Sequence, residues 1–134
     1  MRLRKQIILW GEDDDRVGEL SLILATRMYV TVTKCTSALF IRTLREVDDP
    51  HLIILLDNGN QEHIEAIGAI ANEFNLCPLM LILDSKAAPP AIYVESTVRR
   101  EAPMADLLER VHILTCRKRG PRGARELPSL AEVA

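Results

Sequence analysis

Acidic residues stand where three short apolar runs stop. Glu12 and Asp13 follow Ile7-Ile8-Leu9-Trp10-Gly11, Asp57 follows Leu52-Ile53-Ile54-Leu55-Leu56, and Asp84 follows Leu79-Met80-Leu81-Ile82-Leu83. Gathered carboxylates repel one another, and the usual relief is a hard divalent cation such as magnesium, a proton or a basic side chain. A carboxylate such as Asp57 could also act as a nucleophile, accepting a phosphoryl group once a metal or a Lys/Arg neutralises the charge on the transferring oxygens. The same acids also have a plainer reading as loop solvation, with Asp13, Asp14 and Asp15 serving only to cap a helix. No Gly-rich phosphate loop, His-Glu-x-x-His pair or serine elbow offers a rival site. A metal-dependent hydrolase using Asp57 would lack an evident general acid, so no enzymatic activity is expected.

For these acids to converge, the runs that precede them must be neighbouring parallel strands, because the functional crevice of an open parallel sheet lies beyond the carboxyl ends of its strands. The periodicity supports this. Continuous apolar runs at 6–11, 52–56 and 79–83 read as strands buried on both faces, and the β-branched stretch 29–33 as another. Between them, Val17, Leu20, Leu24 and Met28 mark an amphipathic helix over about 15–28, with Asp14 or Asp15 as its cap. Thr36 or Ser37 caps a second helix carrying Ala38, Ile41 and Leu44, and Ile64, Ile67, Ala71 and Phe74 line a third over 61–74. Leu107, Leu108, Val111 and Leu114 form the apolar face of a final helix over 104–116. Pro89-Pro90 excludes an ordinary helix interior between 85 and 100, and either Ile92-Tyr93-Val94 or Thr97-Val98-Arg99 supplies the fifth strand. Strands alternating with helices predict right-handed crossovers and a doubly wound α/β sheet.

The 134 residues suit one domain, and an apolar share of 48% with 27% charged residues excludes a disordered chain. The formal charge of -2 conceals a division: residues 6–116 hold nine basic against seventeen acidic groups, whereas both ends are basic. Such a body does not suit nucleic acid, although the ends could reach it. Residues 1–116 read as the domain and 117–134 as a basic flexible tail or linker. Cys35, Cys77 and Cys116 match neither a disulfide framework nor a zinc pattern, and no apolar run is long enough to span a bilayer. A cytoplasmic protein is expected. Trp10 is expected in the core, Tyr93 in ordinary packing, and His51, His63 and His112 in surface or packing roles.

With these residues in view, the stretch Ile8-Leu9-Trp10-Gly11-Glu12-Asp13-Asp14 resembles the first strand and acidic pair of bacterial response-regulator receiver domains. Leu52-Ile53-Ile54-Leu55-Leu56-Asp57 resembles their third strand and phosphoacceptor aspartate. The resemblance covers about 6–116. It implies a five-stranded parallel sheet of order 2-1-3-4-5, magnesium held by Glu12, Asp13 and Asp57 with the carbonyl of Gly59, and phosphorylation of Asp57 by a histidine kinase. It also implies homodimerisation through the face running from the fourth strand to the last helix.

Several positions depart from the family pattern. Asp84 stands where a hydroxyl residue ends the fourth strand, with Ser85 beside it, and Arg100, or Arg99 if the register shifts, stands where the family has lysine. An ionised Asp84 cannot donate a hydrogen bond to a phosphoryl oxygen and would repel it. Asp84 and Arg100 could form an ion pair, or Asp84 could join the metal site. The fourth helix is expected to be shortened or missing. The leading expectation is therefore an atypical receiver that signals by regulated protein contact with weakened or absent switching at Asp57. The alternative is a magnesium-dependent phosphoacceptor under a histidine kinase, the amino-terminal part of a DNA-binding regulator, where nucleic acid would be met through a missing output domain or the basic tail.

Overall fold

In the computed structural model, which describes residues 5–34, 36–47, 49–57, 59–84 and 89–116, the apolar runs become the strands of one parallel sheet. The elements in chain order are β1 (Gln6–Trp10), α1 (Asp14–Thr26), β2 (Val30–Lys34), α2 (Ser37–Glu46), β3 (Leu52–Leu56), α3 (Gln61–Phe74), β4 (Leu79–Leu83), β5 (Ser96–Arg99) and α4 (Met104–Thr115). The sheet order is β2-β1-β3-β4-β5 and every pair is parallel. This is the doubly wound topology expected from the sequence, with four helices among the described residues.

Side-chain alternation along each strand sends successive residues to opposite faces, which divides the core in two. Ile7, Leu9, Leu52, Ile54, Leu56, Met80, Ile82 and Val98 pack against Val17, Leu20 and Leu24 of α1 and Leu107, Val111 and Leu114 of α4. Ile8, Trp10, Ile53, Leu55, Leu79, Leu81 and Leu83 pack against Phe40 and Leu44 of α2 and Ile64, Ile67 and Ala71 of α3. All residues of β3 and β4 are buried, hence their unbroken apolar sequences.

Between β4 and β5 no helix occurs among the described residues. Residues 89–95 instead lie as a strap along α3. Ile92 and Val94 pack on the cluster containing Ile64 and Ile67. Ala91 N–H donates to Glu65 Oε2 at 2.6 Å, and Asn72 Nδ2 donates to the Tyr93 carbonyl at 3.0 Å. The strap comes close because Gly68 has no side chain: a Cβ there would stand 2.7 Å from Ile92 Cδ1 and 2.9 Å from its Cγ2. Of the two candidates for the fifth strand, Thr97-Val98-Arg99 is the one in the sheet. Tyr93, expected to be packed, is exposed. The proposed tail over 117–134, together with Cys35, Ser85 and the turn residue Asn58, lies outside the described residues.

Candidate functional site

The carboxyl ends of β1, β3 and β4 line one edge of the sheet. The register sets Trp10 beside Leu55 and Leu56 beside Ile82, so Glu12, Asp57 and Asp84 leave adjacent strands at that edge. Asp57 is 2% exposed, a polar residue enclosed among apolar ones. Its backbone N–H donates to the Ile82 carbonyl at 2.9 Å, holding the β3 end against β4. Its Oδ1 accepts from the Gly59 N–H at 3.0 Å, closing a short side-chain turn. Gly59 takes φ +97°, a conformation that side-chain-bearing residues rarely adopt.

The other two acids implied as metal ligands are already engaged. Asp13, not Asp14 or Asp15, is the N-cap of α1: its Oδ1 accepts from Asp15 N–H at 3.1 Å and Arg16 N–H at 3.3 Å. Glu12 Oε2 stands 2.8 Å from His63 Nδ1 in the first turn of α3. That imidazole also meets the buried Trp10 ring edge-on, and its Nε2 is 3.4 Å from Ser37 Oγ. His63 thus has the packing place expected of it, on Trp10, and in addition a contact with Glu12.

A basic residue that touches Asp57 was not among those singled out from sequence. Arg16 Nη1 donates to the Asp57 backbone carbonyl at 3.2 Å. Burial and the nearby charge of Arg100 lower the Arg16 pKa, while the carboxylates of Asp13, Asp84 and Asp57 act in the opposite sense. Arg16 thus stands within electrostatic reach of three of the edge acids, touching Asp57 at its backbone carbonyl. Only weak signals in the sequence mark it. It lies three residues after Asp13, one helical turn, and a positive charge in the first turn of a helix opposes the macrodipole unless acids compensate it.

The two arginines at the end of β5 part company. Arg99 Nη1 donates to the Asp84 backbone carbonyl at 3.2 Å. Arg100, whose N–H donates to the Leu83 carbonyl at 2.9 Å, lines with Arg16 a cavity of about 160 Å³ floored by Leu20, Leu56, Ile82 and Leu107. Among the described residues, no group of three His, Cys, Asp or Glu side chains is gathered so as to hold a metal ion. A magnesium ion at Glu12, Asp13, Asp57 and Gly59 would have to compete with His63, the α1 cap, the Gly59 N–H and the Arg16 guanidinium. Cys77 is buried and Cys116 exposed. Among the described residues no helix is long and apolar enough to cross a membrane.

No family model matches the sequence and no curated protein is similar to it. Solved structures do match the fold. A response-regulator receiver protein from Pseudomonas putida aligns with a TM-score of 0.72 at 14% identity, over 84% of this chain and 99% of that one. The receiver domain of the hybrid histidine kinase CckA gives 0.64 at 14% identity, over 82% of this chain and 98% of that one. RcsB from Salmonella enterica serovar Typhimurium, bound to a promoter in the presence of phosphomimetic BeF3-, gives 0.62 at 17% identity, over 96% of this chain and 76% of that one. The chain therefore has the fold of bacterial response-regulator receiver domains, with a strap among the described residues where the fourth helix was expected to be shortened or missing.

Proposed function

We propose that this chain is a signalling module of the receiver type, working through contact with a protein partner in a two-component pathway, with the Asp57 pocket as its control centre. The observation that carries this reading is the buried Asp57 at the carboxyl end of the central strand, beside the Glu12 and Asp13 that follow β1. In the phosphoacceptor form of the reading, an Asp57 oxygen bonds to phosphorus as the phosphorus–nitrogen bond of a kinase phosphohistidine breaks. The likeness to a hybrid kinase's receiver and to a regulator captured with a phosphomimetic supports that form.

A second form, in which phosphorylation switching is weak or absent, is favoured by the contact between Arg16 and Asp57 and by Asp84 at the end of β4. There the module would present a fixed face to its partner, formed by the strap, β5 and α4. The two forms separate in one experiment. The full chain is incubated with a small acyl phosphate and magnesium, and intact mass is measured beside Asp57→Asn. Gain of one phosphoryl group that depends on Asp57 supports the phosphoacceptor. No gain, with partner capture retained, supports the fixed module. The receiver reading itself fails if neither phosphorylation nor partner contact responds to changes at Asp57 or along the strap.

A further inference from the structure

We propose that Arg16 is the built-in counter-cation of the acidic edge, and that its guanidinium, held on Asp57, keeps divalent cations out. The inference rests on the receiver reading only for the kind of cation named. It concerns a residue that the family resemblance does not place in the site.

The geometry makes the case from both sides. On the side of the acids, Asp57 lends its carbonyl to Arg16 and Oδ1 to Gly59 N–H, Asp13 spends Oδ1 on two helix N–H groups, and Glu12 faces His63. On the side of the cation, Arg16 springs from the first turn of α1 and lies within the fields of Asp13, Asp84 and Asp57. Arg100 brings a second positive charge to the same cavity wall. A divalent ion entering here would find Asp13 Oδ1, Asp57 Oδ1 and Glu12 Oε2 each already engaged, and would face like-charge repulsion from Arg16 at short range. A guanidinium is also tethered, so it has no translational freedom to lose on taking its place, whereas a free ion does.

Removing this charge should create an ion site where the wild type is poor. Opposite or like charges within a few ångströms move a neighbouring equilibrium by one to three pKa units, so a neutral residue at position 16 should tighten cation binding about tenfold or more. The test is calorimetric titration of the full chain with magnesium and with manganese, comparing wild type, Arg16→Gln, Arg16→Met and Arg16→Lys after circular dichroism has verified folding. Trp10, the single tryptophan, sits against His63 and gives a second readout by fluorescence. Both neutral variants are expected to bind at least about tenfold more tightly, Lys to stay within about twofold of wild type, and Asp57→Asn in the Gln background to abolish the gain. The proposal is overturned if either folded neutral variant binds no more tightly than wild type, or if Lys tightens binding as much as Gln. These outcomes leave the phosphodonor and partner assays unaffected, so failure here and failure of the receiver reading are read separately.

Discussion

His63 Nδ1 stands 2.8 Å from Glu12 Oε2 while its ring meets the Trp10 indole edge-on, centroids 5.0 Å apart at 86°. One side chain of α3 thereby fixes both the last buried residue of β1 and the first acid beyond it. Removing it with His63→Ala should cost only about 0.2–1 kcal/mol, since both partners are partly exposed and such pairs are weak. The sharper consequence is optical. Trp10, buried with no partner for Nε1 among the described residues, should shift its emission when its aromatic neighbour goes. An unchanged Trp10 spectrum in a folded His63→Ala protein would show that this contact does not shape the β1 end.

The turn after β3 supplies a second prediction. Gly59 sits at φ +97°, where an added Cβ is strained whatever the space around it. Gly59→Ala should destabilise the fold by about 1–2 kcal/mol, measured by urea denaturation. Asp57→Ala removes the acceptor of the Gly59 N–H, whereas Asp57→Asn keeps an oxygen for it. The alanine variant should therefore be less stable than the asparagine one by about 1 kcal/mol, the worth of one intramolecular hydrogen bond. Equal stabilities would mean that this bond does not hold the turn.

How much of this was readable beforehand depended on what each residue touches. β1, β3 and β4 were plain because helices cover both faces, so every position but Gln6 at the start of β1 is apolar. β5 was not, because only Val98 of its four residues is buried, and Ile92 and Val94 imitate a strand while packing on α3. The acids at the strand ends were legible as types and positions. Their present partners were not, because Arg16 and His63 each lie in a helical first turn, where a polar residue looks like part of a solvated face. The reach of a long side chain across to another strand leaves no periodic trace.

The strap makes a third prediction. A methyl group at position 68 collides with Ile92 on two side-chain carbons and stands 3.2 Å from its Cβ, so bending the far end of the isoleucine does not suffice. Gly68→Ala should cost about 1–3 kcal/mol by overpacking, with hydrogen exchange accelerated over residues 89–95. Shortening the opposing residue with Ile92→Ala should recover part of that loss in the double variant. A double-mutant cycle with no coupling would place the two residues out of contact.

The exposed Tyr93 belongs to the same strap, held at its backbone by Asn72 and flanked by the half-buried Ile92 and Val94. Its side chain contributes little to the fold, so Tyr93→Ala should change stability by less than about 0.5 kcal/mol. Aromatic side chains anchor protein interfaces out of proportion to their number, and an anchor of this kind costs about 2 kcal/mol when truncated. If the strap, β5 and α4 form the signalling face, Tyr93→Ala should weaken partner capture or self-association about thirtyfold, the equivalent of that energy. Asn72→Ala should weaken it less, because it releases the strap without removing the ring. Binding that is indifferent to both changes would move the interface away from the strap and toward another exposed apolar residue such as Leu22 of α1.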